Sequence, residues 1–211
     1  MSDNSRQDIL NKIAAVRPTR IASVSVQPID ELEIHKPILP DAISCFKTEL
    51  EAISGQCILC KNESDVALKI KDFLDSKGLP SVYCRDSVIA KTLSKAGIIH
   101  TNNPDNFEEM LVGITGCELL VARTGSVIVT SRTESGRQMT VFPPIHIVIA
   151  NTSQLVDFLT DAFVALKNKY GTKLPSTIST ITGPSRTADI EKTLVLGAHG
   201  PKEFIVFLSK N

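Results

Sequence analysis

The chain has 211 residues, enough for one large domain or two small ones, and a chain of that length buries enough surface to fold without a metal or disulfide. Lys plus Arg and Asp plus Glu number 23 each, so the net charge is zero. That balance argues against a general nucleic-acid binder, which needs surplus cations to displace counterions. No apolar run approaches the roughly 18–20 residues that span a bilayer. Met1–Val16 is polar, without the basic-then-apolar order of a signal peptide, so a cytoplasmic protein is expected. Cys45, Cys57, Cys60, Cys84 and Cys117 form an odd, scattered set and read as buried thiols rather than a disulfide framework.

Ile9, Ile13 and Val16 recur at helical spacing, so Ser5–Val16 reads as a helix. Pro18–Pro40 has four prolines and no sustained period, and reads as an extended arm. Residues 1–40 are therefore set apart from one α/β domain over 41–211. Asp41 can cap a helix to about Ile53, with Ile43, Phe46, Leu50 and Ile53 on one face. Cys57–Cys60 lies in a short strand. Ser64 opens a helix that buries Val66, Ile70, Phe73 and Leu74 and stops at Gly78. Ser81–Cys84 reads as a strand, Ser87–Ala96 as a helix and Ile98–His100 as a further strand. Leu119–Ala122 and Ser126–Thr130 read as strands joined by a Thr-Gly turn. Pro144–Ala150 is nearly all apolar, as in a strand covered on both faces. Thr152 or Ser153 caps a helix to about Tyr170, and Thr177–Thr182 and Phe204–Leu208 are the last strands.

Strands alternating with helices of this length predict an α/β fold, a three-layer sandwich with a mostly parallel mixed sheet. The serial hairpins between Leu119 and Ala150 place an antiparallel part in it.

Chemistry concentrates in three segments. In Ile181-Thr182-Gly183-Pro184-Ser185-Arg186-Thr187-Ala188-Asp189-Ile190-Glu191 an apolar strand runs into Gly183, and Ser185 or Thr187 can then cap a short helix. At the carboxyl end of a parallel sheet such a helix start is an anion site. Gly183 admits a ligand to the backbone, Ser185 and Thr187 supply hydrogen bonds, and Arg186 neutralises charge. Equally, Ser185 and Thr187 serve only as caps, with Asp189 and Glu191 answering the helix dipole. Thr124-Gly125-Ser126 reads as a second polar rim or as a tight turn. In Leu196-Gly197-Ala198-His199-Gly200-Pro201, His199 is either a general acid or base or a loop residue bonded to backbone. His146, inside an apolar strand, reads as a core histidine. Ser131–Gln138 reads as a polar, mobile loop. Cys57 and Cys60 have metal-motif spacing, but residues three apart on a strand point to opposite faces. No Walker A, dinucleotide or Gly-x-Ser-x-Gly motif is present.

The strings Ala122–Val129, Pro143–Val148, Ile181–Glu191 and Leu196–Pro201, in this order and spacing, resemble the lactate-utilisation protein C family, also called the LUD domain family. The resemblance implies a fold like that of the sugar-phosphate isomerase and coenzyme A transferase superfamily. It also implies membership of a bacterial three-protein system that oxidises L-lactate to pyruvate. In that system iron–sulfur clusters sit on partner proteins and none is bound by a chain of this kind. Relatives often carry an acidic residue before the Thr-Gly pair, where this sequence has Arg123.

Three functions follow from these readings. The first is a component of the lactate-oxidising system, catalytic or not, that associates with iron–sulfur lactate-utilisation proteins. The second is a free-standing sugar-phosphate or acyl-coenzyme A enzyme, with Glu191 or Asp189 as acid or base and Ser185, Arg186 and Thr187 as anion clamp. The third is a small-molecule binding module without turnover. The site residues expected are Glu191 and His199 for catalysis. Thr124, Gly125, Ser126, Gly183, Ser185, Arg186, Thr187 and Asp189 are expected to bind a small anionic ligand, with no metal.

Overall fold

A computed structural model of the chain describes residues 3–15, 37–102, 109–188, 194–197 and 199–210. The chain divides into two units, Met1–Pro37 and Ile38–Asn211. In the first, helix α1 spans Asp3–Ala15, and its Ile9, Leu10 and Ile13 are exposed. Most of the proline-rich arm lies outside the described residues.

The second unit opens with α2, Ala42–Ala52. The Asp41 carboxylate accepts from the Ile43 and Ser44 amides, both at 3.0 Å, which answers two of the free N–H groups of the first turn. Strand β1 is Gln56–Cys60. Helix α3, Glu63–Lys77, is capped by Asn62 rather than opened at Ser64, because Asn62 Oδ1 accepts from the Asp65 amide at 3.0 Å. Gly78 ends it in the left-handed region, as its position predicts. Strand β2 is Val82–Cys84, α4 is Ser87–Lys95 capped by Asp86, and β3 is His100–Thr101.

Strand β4, Val112–Thr115, was not foreseen from sequence. Gly113 and Thr115 dilute its apolar pattern, yet all four residues are buried. Gly113 is there for space, since a Cβ would lie 2.6 Å from Pro143 Cγ. Next come β5, Leu119–Val121, and β6, Ser126–Thr130, joined by a 3-10 turn at Ala122–Thr124 and by Gly125. Strand β7 is Ile145–Asn151. Neither Thr152 nor Ser153 caps a long helix. Thr152–Gln154 is a 3-10 turn, Leu155–Val156 is β8, and α5 runs from Leu159 to Tyr170. The cause is local: Gln154 turns back to accept from the Asn151 amide at 2.8 Å and closes the turn on itself. The remaining strands are β9, Ile178–Ile181, β10, Arg186–Ala188, β11, Leu194–Leu196, and β12, Glu203–Ser209.

Six strands, in the order β1-β12-β7-β4-β2-β3, form a wholly parallel sheet. The antiparallel strands join a sheet of their own, β8-β5-β6-β9, instead of extending the parallel one. The pair β10-β11 forms a separate antiparallel ribbon. Strand β12 shows how the sheet is held. Ile205 and Phe207 pack with Val66, Ile70 and Leu74 of α3 and Leu93 of α4, while Phe204, Val206 and Leu208 pack with Phe46 and Leu50 of α2 and Val127 and Val129 of β6. Both faces of one strand are thus buried, as its continuous apolar run requires. Cys57 and Cys60 fall on opposite faces by the same alternation. On the far side of the small sheet, Val121 and Ile128 pack with Ala162 and Leu166 of α5.

A buried carboxylate fixes α5 to the small sheet. Glu118 accepts from Thr130 Oγ1 at 3.0 Å, Tyr170 OH at 2.5 Å and Lys169 Nζ at 2.6 Å. Burial pushes the Glu118 carboxyl up, but the bonds from Lys169, Tyr170 and Thr130 outweigh it and hold the group below its ordinary range. Glu118→Ala should cost about 1–3 kcal/mol, since two hydroxyl donors lose their acceptor while the exposed Lys169 returns to water. A urea titration of the variant checks this, and an unchanged midpoint would remove Glu118 as the anchor.

Candidate functional site

The three sequence motifs meet, but not where the strand-end rule places them. The residues entering β12 and β7 bring the Gly183–Arg186 segment to the amino ends of the parallel strands. Ser185 donates its amide to Pro201 O at 2.8 Å and accepts from the Gly197 amide at 2.9 Å. Gly200 lies against Ser185, and a side chain at that position would bring its Cβ to 3.1 Å from the serine Cβ. The amides of Lys202 and Glu203 both donate to Pro144 O, at 2.7 and 3.1 Å, which ties the starts of β12 and β7. Gly183, at φ 81°, packs against Ile53 O after α2. Arg186 reaches back toward the same turn, with Nη2 3.5 Å from Ser54 Oγ.

The crevice at the carboxyl ends does exist. It is a cavity of about 150 Å³ lined by Glu63, Val88, Ile149, Asn151, Gln154 and Ser209 among others, and none of the motif residues reaches it. The anion site at a helix start after Gly183 is also overturned. Arg186–Ala188 is a strand paired with Leu194–Leu196, so its backbone serves a β-ladder and no helix starts at Ser185 or Thr187. Asp189 and Glu191 lie outside the described residues, and Thr187 is described in its backbone only.

Thr124, Gly125 and Ser126 form the second part of the cluster. Ser126 is buried, and its hydroxyl lies 2.8 Å from both Thr124 Oγ1 and Thr182 Oγ1. The tight-turn reading of the Thr-Gly pair holds: Gly125 makes a left-handed turn, and the flanking hydroxyls bond to one another and to Thr182. Thr182 was not singled out from sequence, and the only signal for it was its place between an apolar strand and Gly183. Arg123 makes a 2.6 Å ion pair with Glu49 of α2. The arginine thus fastens the 3-10 turn to α2, and Glu49 supplies a carboxylate beside it. This partner was not legible because 74 residues separate the two.

His199 is exposed and faces an open cavity of about 330 Å³, with Phe142, Pro144, Gly200 and Lys202 among its walls. An imidazole and an ammonium group on one solvent-reached space can hold an anion and move one proton. The loop 131–138 is tied down more than its composition predicts. Glu134 accepts from the Ser87 amide at 2.7 Å at the start of α4, and Ser135 is buried. Three buried thiols are poorly disposed to ionise. Burial pushes Cys57 and Cys84 up to about 12, and Cys60 is raised for the same reason. Among the described residues no group of three His, Cys, Asp or Glu side chains is placed to hold a metal ion, and no helix is long and apolar enough to cross a membrane.

Residues 43–209, which include every one of these motif segments, match the LUD domain family. The chain belongs to the LUD domain family. Among curated relatives, Lactate utilization protein C of Bacillus licheniformis is 38% identical over 101 residues, covering 47% of this chain and 42% of that protein. The protein of the same name from Geobacillus thermodenitrificans is 41% identical over 101 residues with the same coverage. That from Anoxybacillus flavithermus is 28% identical over 153 residues, 72% of this chain and 66% of that protein. The chain thus spans less than half the length of the first two relatives. A DUF162 family protein from Deinococcus radiodurans has the same fold, with a TM-score of 0.60 over 86% of this chain and 99% of that one at 16% identity. The parallel sheet and its coverings are therefore a LUD architecture.

Proposed function

We propose that this LUD protein acts in bacterial L-lactate utilisation, as a component that works with iron–sulfur partner proteins. The observation that carries the reading is family membership together with relatives named Lactate utilization protein C. Oxidation of L-lactate to pyruvate releases two electrons and two protons. The electrons are assigned to clusters on the partners. That assignment is supported by the placement of Cys57 and Cys60 on opposite faces of β1, which keeps this pair from serving one cluster. The exposed His199 and Lys202 beside one cavity are the groups best suited to meet a small carboxylate or its proton.

The test is growth. A bacterium deprived of this chain should fail to grow on L-lactate while growing normally on pyruvate. Wild-type chain should restore growth, and His199→Ala should restore it poorly. Normal growth on L-lactate without the chain would sink the reading.

A further inference from the structure

A second cavity, of about 220 Å³, lies between the small sheet and the loop after β6, and of the motif strings only Val129 reaches it. Its walls include Thr130, Ser131, Arg137, Thr140, Thr177 and Ser179. We propose that it is a binding site for a small oxyanion, a short carboxylate or a phosphate, with Arg137 as the cationic contact.

The register of β9 carries the first part of the argument. Ile181 opposes Val127 and Ser179 opposes Val129, so Ser179 shares the inward face on which Val127, Val129 and Ile181 join the core. An apolar residue would satisfy that position by packing. A serine there places a half-buried hydroxyl-bearing residue on the cavity wall. Thr177, two residues earlier, is a second half-buried hydroxyl-bearing residue of the wall. Ser135, beside the cavity-lining Gly136, has a buried hydroxyl without a partner among the described residues. A buried polar group is seldom left so, and Ser135 is a place to look for a bound ligand or water.

Charge carries the second part. Arg137 donates from Nη2 to Ser176 Oγ at 2.8 Å, and Ser176 Oγ lies 3.0 Å from Ser131 Oγ. Ser131 Oγ in turn accepts from the Thr177 amide at 3.3 Å. Thr140 Oγ1 bonds the Arg137 carbonyl at 2.8 Å. The guanidinium is thus held through Ser176 and the residue's backbone through Thr140, yet Arg137 forms no ion pair among the described residues, and no described acidic residue lines the cavity. A planar cation with several donors, set among hydroxyls, matches the oxygen fork of a carboxylate or phosphate. The volume falls below the roughly 300–1,000 Å³ of sites for drug-sized ligands, so the ligand is small. The site does not depend on the lactate reading.

Calorimetric titration of the full chain at low ionic strength with inorganic phosphate, L-lactate and pyruvate tests the site. Saturable binding of at least one is expected, weakened on the order of tenfold or more in Arg137→Gln, as loss of a charged hydrogen-bond donor predicts. Arg137→Lys should lie between the two, and an unchanged urea midpoint in both variants shows that the fold persists. Phosphate alone or carboxylates alone would each support the site and name its source. Absence of saturable binding by all three, or equal affinity in Arg137→Gln, overturns it whatever the growth result.

Discussion

Gly125→Ala should lower stability by about 2–5 kcal/mol, a large share of what a domain has. Two effects add. At φ 58° the backbone is left-handed, which costs an L side chain roughly 1–2 kcal/mol. A methyl group there would also stand 2.3 Å from Leu50 N and 2.7 Å from Leu50 Cα, atoms of a helix backbone that cannot swing aside. Helix α2 must then lift from the 3-10 turn, and Phe46 and Leu50 lose part of their packing. Gly78→Ala is the control. Its φ is 64°, yet a methyl group there would meet nothing within 4 Å, so only the backbone cost of roughly 1–2 kcal/mol applies. Urea midpoints of both variants separate the terms. Equal losses would show that α2 does not bear on Gly125.

Acid should weaken the protein through His146 before most carboxylates respond. The imidazole is fully buried in β7, with Nε2 2.8 Å from Thr115 Oγ1, its ring 5.3 Å from that of Phe204, and Nδ1 without a partner among the described residues. Burial pushes its pKa down to about 3. An unfolded histidine titrates near 6.5, so between these values the unfolded chain binds the extra proton. The stability tied to the neutral ring is therefore whole above 6.5 and is lost as pH falls toward 3. The slope is about 1.4 kcal/mol per pH unit, so roughly 2 kcal/mol goes between pH 6.5 and 5. Most carboxylates remain ionised in that window. Urea titrations at pH 7 and pH 5 should show the loss in wild type, and the double variant His146→Phe, Thr115→Val should lack most of it. Equal wild-type stability at both pH values would mean that the ring is not held neutral.

His146 also marks how far a sequence reaches here. A lone histidine within Ile-His-Ile-Val-Ile reads as a core residue, and that needs only the strand period and an apolar setting. The same reasoning placed Cys57 and Cys60 on opposite faces, found Asp41 as a cap and Gly78 as a stop, and found β7 and β12 from their continuous apolar runs. Each is local: a side chain answering the amides two or three residues ahead, or alternation along one strand.

Where local signals compete, the sequence did not decide. Ser185 and Thr187 fit a helix start as well as a strand. The strand formed because Leu194–Leu196, across an intervening stretch, offers a ladder partner. Gly113 and Thr115 hide β4, which exists because β2 and β7 flank it. Loop convergence is likewise tertiary. The assumption that three loops meet at one end of the sheet puts the segments of Ser126, Ser185 and His199 at the carboxyl ends of the strands, whereas they lie toward the amino ends. Only the packing of α2 under Gly125 and Gly183, and the bonds from Pro144 and Pro201, set them at the amino ends. Arg137 shows the same divide. Its sequence neighbours make it a loop cation, and the inward serine of β9, dozens of residues away, makes it the wall of a cavity. Elements, caps and faces follow from neighbours along the chain. Partners follow from which surfaces are left to be buried, and that only the folded whole decides.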